Sequence, residues 1–210
     1  DQAVFVFAVK DPVPHPRMLD RFLVLAESRN LPAVVVVNKH DLLEPGETDP
    51  FAPHRAIYPF HNISVRTGEG IDDLRERLHG KISVVAGPSG VGKSSLVNRL
   101  IPDLAQQVAV ISEATGKGRH TTTAAELFRL DHDSFIADTP GIRSLALQGV
   151  LPEELPECFP EFEPFLGECR FGNCTHVHEP GCMIQQAVED GLISDERYES
   201  YTRLRQGFDD

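Results

Sequence analysis

The chain has 210 residues, of which 40% are hydrophobic and 7% aromatic, and its formal net charge at pH 7 is −12. This length suits one large domain or one domain with a small addition. The acidic charge argues against a surface that binds nucleic acid indiscriminately, although a local basic patch is compatible with it. No apolar run approaches the roughly 18 residues of a membrane helix, and no secretion leader opens the chain, so we expect a cytoplasmic protein without membrane association.

Apolar strands and amphipathic helices alternate along the first 140 residues, which predicts an α/β fold built in layers. The predicted strands are residues 3–9, 33–37, 54–60, 81–87, 124–130 and 134–138, and the predicted helices are 15–29, 71–78 and 93–101. Pro59 weakens the prediction for the third strand. Because a strand starts with the first residues and no initiator Met is present, we also expect a further segment to precede residue 1.

The character of the sequence changes after Gly141. Residues 150–182 are rich in proline and hold all four cysteines, and helical patterning returns at 183–206. We therefore predict two domains, residues 1–148 and residues 149–210, of which the second is small and mostly helical.

The second predicted strand ends in an Asn-Lys-x-Asp sequence, the element with which GTPases read guanine: Asn38, Lys39, His40 and Asp41. The Asp41 carboxylate can accept hydrogen bonds from N1–H and the 2-amino group of guanine, whereas adenine has no donors there. Asn38 would tie this loop to a phosphate-binding loop, and the stem of Lys39 would lie along the base plane. The alternative is an ordinary turn that contains an aspartate.

Two further segments point to a nucleotide. Ser64, Val65 and Arg66 stand where GTPases place a backbone N–H against guanine O6, a weak signal that many loops share. The strong signal is a phosphate-binding loop of the form G-x-x-x-x-G-K-[ST], placed between an apolar strand and a helix. Its residues are Gly87, Pro88, Ser89, Gly90, Val91, Gly92, Lys93 and Ser94, followed by Ser95.

The glycines of this loop let its backbone N–H groups point at phosphate oxygens, and the helix that follows adds its N-terminal dipole. Lys93 would contact the β- and γ-phosphates, Ser94 would bind Mg²⁺, and Ser95 could assist at the α-phosphate. A glycine-rich turn without a ligand is the alternative.

Two switch segments would complete the site. Asp138 would hold Mg²⁺ through a water, and the Gly141 N–H would contact the γ-phosphate. One threonine of a polar, glycine-rich stretch could complete the Mg²⁺ shell, and spacing does not distinguish Thr121, Thr122 and Thr123.

Many small GTPases have a Gln that orients the attacking water at one of the two positions after the glycine of this switch. Here these two positions hold Ile142 and Arg143. The catalytic group must therefore differ. His120 could orient or deprotonate the water, or a partner could supply the group. Arg119 or Lys117 could offset charge in the transition state.

Three of the cysteines and one histidine follow the spacing Cys169-x4-Cys174-x-His176-x5-Cys182. Three thiolates and an imidazole within fourteen residues suit a closed tetrahedral zinc site, which would stabilise this proline-rich segment. His178 is a rival ligand. Cys158 lies outside the spacing, and we expect it to be a small buried residue.

The base-reading element precedes the phosphate loop and the switches, so the motif order is that of a circularly permuted P-loop GTPase. With this order, "GRHTTT", "DTPGIR" and the cysteine cluster, the chain resembles the ribosome small-subunit-dependent GTPase A family along essentially all its length. The resemblance implies GTP hydrolysis that is slow until the small (30S) subunit stimulates it, Mg²⁺ bound with GTP, structural Zn²⁺, contact with rRNA and a late role in 30S maturation. The family also has an N-terminal OB-fold domain. We expect a monomer.

Two other classes of function stay open at this point. One is a GTP-regulated RNA-binding scaffold with negligible turnover, with which the missing Gln is compatible. A P-loop ATPase or small-molecule kinase would instead predict that ATP competes well with GTP.

Overall fold

The structure is a computed structural model that describes residues 1–104, 126–138 and 150–207, except for the side chains of Glu126 and Asp138. Six strands form one sheet in the order β3-β2-β1-β4-β6-β5. They are β1 (Gln2–Ala8), β2 (Ala33–Asn38), β3 (Phe60–Asn62), β4 (Ile82–Ala86), β5 (Glu126–Arg129) and β6 (Phe135–Asp138). Neighbouring strands run parallel except β5, which is antiparallel to β6.

Two interior strands of the sheet, β1 and β2, are buried along their whole length. This agrees with their continuous apolar sequences, because strands of a parallel sheet are usually covered on both faces. The carboxyl ends of the parallel strands meet at one edge of the sheet, which is where α/β folds place their ligands.

The described residues contain five α-helices. These are α1 (Pro16–Glu27), α2 (Ile71–Leu78), α3 (Lys93–Leu100), α4 (Met183–Glu189) and α5 (Asp195–Arg205). None of them has the length and apolar character needed to cross a membrane.

Helices α2 and α3 pack against one face of the sheet. Leu74 and Leu96 are 0% and 1% exposed, and they share a core cluster with Val4 and Val6, which are alternate residues of β1. Burial of each such leucine stabilises the fold by about 1.5–3 kcal/mol relative to an exposed position. The two helices therefore fix the loops that precede them against the edge of the sheet.

The strand predicted at 54–60 was wrong. Ala52–His54 forms a 3-10 helix, in which the His54 N–H donates to the Phe51 carbonyl at 3.0 Å. Pro53, in the first turn of that helix, suits such a turn because its φ is already fixed. The strand begins only after Pro59, at Phe60.

The residues divide into two compact units. The first comprises residues 1–15, 31–50 and the described part of 58–145, and it carries the sheet. The second comprises residues 16–30, 51–57 and the described part of 146–210. Helix α1 therefore groups with the cysteine-rich segment. The division into domains at residue 148 stays a prediction, because a packing unit need not fold alone.

An aromatic cluster forms the centre of the second unit. The ring centroids of Phe159 and Phe162 lie 5.1 Å apart, and Tyr201 lies 5.4 and 5.0 Å from these two rings. Aromatic pairs at such distances contribute about 0.5–1.5 kcal/mol beyond the area that they bury.

Next to this cluster lies a buried group of charges. The Arg197 side chain, 1% exposed, donates to the Glu161 carboxylate at 2.6 Å and also to Asp20. Asp20 lies 2.7 Å from Nε2 of His54, and the Arg197 guanidinium stacks 4.6 Å from the centroid of the Phe159 ring. Buried charges need such partners, because an unpaired charge in the interior is costly.

Candidate functional site

A cavity of about 320 Å³ lies in the first unit, where β2, β3 and β4 end. Three segments that are distant in sequence line it. The lining residues are Asn38, Lys39, Asp41, Leu42, Val65, Arg66, Gly92 and Ser95. The cavity thus combines residues of the Asn-Lys-x-Asp element with residues of the phosphate-binding loop.

The side-chain amide of Asn38, 3% exposed, joins three loops. Its Nδ2 donates to the Val91 carbonyl at 2.8 Å, and its Oδ1 accepts the Val65 N–H at 3.1 Å. Both ends of a buried amide are therefore satisfied. This residue fixes the distance between the end of β2 and the phosphate-binding loop.

The phosphate-binding loop depends on glycine at two close approaches. A Cβ atom on Gly87 would lie 2.1 Å from the Val6 carbonyl oxygen, and one on Gly92 would lie 2.4 Å from Nδ2 of Asn38. Both residues also have positive φ angles, of 145° and 99°. Only glycine avoids both the clash and the backbone strain.

Two lysines fasten the same loop. Lys93 opens α3, and its Nζ donates to the carbonyls of Gly87 at 2.8 Å and Pro88 at 2.5 Å. Lys39 donates to the Gly90 carbonyl at 3.1 Å and to the carbonyl of Asp11. Both ammonium groups thus contact backbone carbonyls at the rim of the loop.

Asp41 is held from two sides. Its side chain is only 10% exposed. Oδ1 accepts from the Ser64 hydroxyl, and Oδ2 accepts from Nε and Nη2 of Arg66 at 2.9 and 2.6 Å. The hydrogen bond from Ser64, followed by those from Arg66, holds the pKa of Asp41 below its ordinary value although burial opposes this. The carboxylate is therefore ionised near neutral pH and able to accept hydrogen bonds.

Several residues that we predicted to bind nucleotide do not line this cavity. They are His40, Ser64, Gly87, Pro88, Ser89, Gly90, Val91, Lys93 and Ser94. His40 donates its N–H to the Ile63 carbonyl at 3.0 Å, and its ring lies 3.8 Å from Glu69. Ser94 is exposed in the first turn of α3.

The predicted switch and catalytic residues fall outside the part of the chain that the structure describes. These are Lys117, Arg119, His120, Thr121, Thr122, Thr123, Gly141, Ile142 and Arg143. Asp138 ends β6, and its side chain is outside the description as well.

In the second unit, Cys169, Cys174, His176 and Cys182 form a cluster whose ligand atoms all lie within 4.8 Å of one another. Nδ1 of His176 lies 3.5 Å from Sγ of Cys169 and 3.4 Å from Sγ of Cys182, and these two sulfurs are 4.0 Å apart. Tetrahedral zinc, with bonds of about 2.3 Å to sulfur and about 2.0 Å to nitrogen, needs sulfur–sulfur separations of about 3.8 Å and sulfur–nitrogen separations of about 3.5 Å. The cluster therefore fits a metal ion of this size.

The other candidate ligands lie elsewhere. The ring of His178 is 80% exposed, and Cys158 is buried outside the cluster with its Sγ donating to the Glu154 carbonyl at 3.5 Å. Burial lowers the pKa of His176, so its imidazole is neutral and can offer a lone pair.

Glu179 organises the loop that holds these ligands, and sequence patterns did not single it out. Its carboxylate accepts the N–H groups of Thr175, Val177 and His178 at 2.9, 3.3 and 3.2 Å, and the Thr175 hydroxyl at 2.5 Å. An isolated acidic residue within a loop usually indicates a solvated position, which is why the spacing alone did not reveal it.

Comparisons with known proteins agree with this arrangement. A family model described as RsgA GTPase matches residues 1–148. The chain is 51% identical over 207 residues to the small ribosomal subunit biogenesis GTPase RsgA of Gemmatimonas aurantiaca, a match that covers 98% of this chain and 67% of the relative. It is 42% identical over 208 residues to the protein of that name from Thermotoga maritima, with 97% and 70% covered.

Two solved structures share the fold. The crystal structure of YjeQ from Thermotoga maritima superimposes with a TM-score of 0.83 at 39% identity, covering 99% of this chain and 71% of that one. YloQ, described as a circularly permuted GTPase, gives a TM-score of 0.78 at 33% identity, covering 99% and 68%. The fold is thus that of a circularly permuted GTPase, as the motif order predicted, and the chain belongs to the RsgA GTPase family.

Proposed function

We propose that this chain binds GTP and GDP in the cavity, hydrolyses GTP, and acts in late maturation of the small (30S) ribosomal subunit. Membership of the RsgA GTPase family makes it a GTP hydrolase. One observation carries the site assignment: Asp41 lines the same cavity as Gly92 and Ser95, and Asn38 bonds these two loops together.

Asp41 reads the base in this proposal. Its ionised carboxylate accepts N1–H and the 2-amino group of guanine, and a nearly buried carboxylate would be left unpaired by adenine. The N–H groups of Ser64 and Val65 already donate to the Glu69 carbonyl and to Asn38, so we assign recognition of guanine O6 to the Arg66 N–H. The Asp41 carboxylate and this backbone N–H together select guanine over adenine.

The phosphate-binding loop and the start of α3 hold the phosphates. Lys93 contacts loop carbonyls 2.8 and 2.5 Å away, and a phosphate oxygen would replace these weaker partners. Ser94 and Asp138 are the residues that we assign to Mg²⁺, which neutralises phosphate charge when bound. We keep His120 as the residue that positions water, with one of Thr121, Thr122 and Thr123 and the Gly141 N–H at the γ-phosphate.

The cysteine cluster holds Zn²⁺ in this proposal. Four protein ligands leave no open coordination position, so the ion is structural and stabilises the turn around Glu179. We infer contact with rRNA, a monomeric state and a cytoplasmic location from the proposed role on the subunit. The chain spans about two thirds of the length of the relatives compared above.

The test is GTP turnover by the zinc-loaded chain alone, with purified 30S subunits, and with 50S subunits as control. We expect slow turnover that only 30S subunits accelerate, and its loss in Lys93→Ala. Equal turnover of ATP, or an equal rate in Lys93→Ala, would contradict GTP hydrolysis at this site. A rate that 30S subunits leave unchanged would contradict the subunit role.

A further inference from the structure

The Arg66 side chain is hydrogen-bonded to the Asp41 carboxylate, the group that we propose binds guanine. Nε and Nη2 of Arg66 both donate to Oδ2 of Asp41, at 2.9 and 2.6 Å. The Ser64 hydroxyl donates to the other oxygen, Oδ1. A carboxylate offers about four acceptor positions, two on each oxygen, so Arg66 fills both positions of one oxygen.

Guanine needs an acceptor on each oxygen, one for N1–H and one for the 2-amino group. Oδ1 keeps one position beside Ser64, but Oδ2 keeps none. Arg66 also lines the cavity itself, so its guanidinium lies at the place that the base edge must reach. Guanine and Arg66 are therefore competitors for Asp41.

Arg66 and Asp41 differ in how well water can solvate each side chain once their ion pair opens. The Arg66 side chain is 74% exposed, so it can turn into water and keep its charge solvated. Asp41, at 10% exposure, cannot gain as much water. The pair will therefore open only briefly when the site is empty, and it will stay open when the donors of guanine replace those of arginine.

We propose that Arg66 gates the guanine site, standing in for the base while the site is empty and leaving when guanine binds. The inference rests on the proposed function, because it requires Asp41 to read guanine. If binding needs the open form, the association rate constant and the affinity are both multiplied by the fraction of time that the pair is open, so a rarely open pair lowers both strongly. Dissociation is unaffected, because Arg66 has already left.

The test uses the zinc-loaded chain and a fluorescent N-methylanthraniloyl derivative of GDP in stopped-flow mixing. We expect Arg66→Ala to bind about threefold to tenfold faster, as loss of a partly exposed bidentate ion pair allows, with an unchanged dissociation rate constant. Arg77→Ala is the matched control: it removes the same charge from an exposed position on α2, away from the cavity lining.

Association of Arg66→Ala that is no faster than that of Arg77→Ala would overturn the proposal. Faster dissociation would overturn it as well, because it would place Arg66 on the bound nucleotide. In an Asp41→Asn background the effect of Arg66→Ala on association should vanish, and its persistence would also count against the gate. Failure of the proposed function would look different, since the wild-type chain would then take up no GDP, and the gate would fall with it.

Discussion

Asn38 lies so close to Gly92 that a Cβ atom on the glycine would stand 2.4 Å from the Asn38 amide nitrogen. The two residues are 54 positions apart, yet they bring the end of β2 against the phosphate-binding loop. The same amide is bonded to Val91 and Val65, so it has little freedom to move aside. This contact couples the loop that reads the base to the loop that holds the phosphates.

Gly92→Ala should therefore break this coupling. We expect GDP affinity to fall about tenfold or more, because the methyl group displaces Asn38 and leaves buried polar groups unpaired. Isothermal titration with GDP measures the effect. Gly80→Ala is the control: Gly80 also has a positive φ, of 67°, but nothing lies within 4 Å of its Cβ position. It should lose about 1–2 kcal/mol of stability and keep its GDP affinity. Equal affinities for the two variants would argue against the coupling.

Asp41→Asn should change the choice of base. The amide keeps one acceptor and gains a donor, so it repels the 2-amino group of guanine but suits xanthine, which carries a carbonyl there. Two hydrogen bonds to a charged acceptor are worth about 1.5–3 kcal/mol each, so GDP should bind about 100-fold more weakly or worse. Xanthosine diphosphate should regain part of that loss in the same titration. If the variant bound GDP as the wild type does, Asp41 would not be the base reader.

Cys182→Ser should lose the metal. We expect the purified wild-type chain to contain about one zinc ion and the variant to contain none, because three ligands rarely retain a structural ion. Atomic emission measures the content. Cys158→Ser is the matched control, since burial raises the pKa of Cys158 to about 11 and its thiol lies outside the cluster. Zinc retained by Cys182→Ser, or lost from Cys158→Ser, would contradict the assignment of ligands.

Asp20→Asn should destabilise the second unit. Burial tends to raise the pKa of Asp20, but its bond with His54 and the charge of Arg197 hold the pKa below its ordinary value. Removing one partner of a buried pair costs about 3–5 kcal/mol, which urea unfolding at pH 7 should show. Glu199→Gln, which loosens an exposed pair with Arg17, should cost under about 1 kcal/mol.

The stability difference between wild type and Asp20→Asn should depend on pH, because the pKa of Asp20 is lowered in the folded protein. A carboxyl group with a lowered pKa stabilises the fold above its unfolded pKa and loses that contribution as the pH falls through the folded value. The difference between wild type and Asp20→Asn should hold from neutral pH down to about pH 4 and shrink below that. A difference that grew with acidity would contradict the assigned ion pair.

Part of this architecture could be predicted from the sequence because its signals are local. The continuous apolar runs of β1 and β2 indicate buried parallel strands, and the motif at residues 87–94 lies between a strand and a helix. Parallel strands then bring Asn38 and the phosphate loop to one edge without further information. The permuted motif order likewise needs only the order of residues along the chain.

Other features depend on contacts that no local pattern encodes. Asp20 and Arg197 are 177 positions apart, and each alone resembles an ordinary surface charge on a helix. The side chain of Arg66 reaches Asp41 only because β2 and β3 are neighbours. Residues 56–58 form a short apolar run that resembles a strand, but the turn around Pro53 and the bond of His54 to Asp20 fix a different conformation.

The central claim is that one guanine nucleotide bridges Asp41 and Lys93. A crystal structure of the zinc-loaded chain with GDP tests it most directly. We expect the Asp41 carboxylate within about 3 Å of guanine N1 and the Lys93 ammonium within about 3 Å of a β-phosphate oxygen. GDP bound with either side chain turned away from it, or bound at another surface, would show that these two residues do not hold one nucleotide.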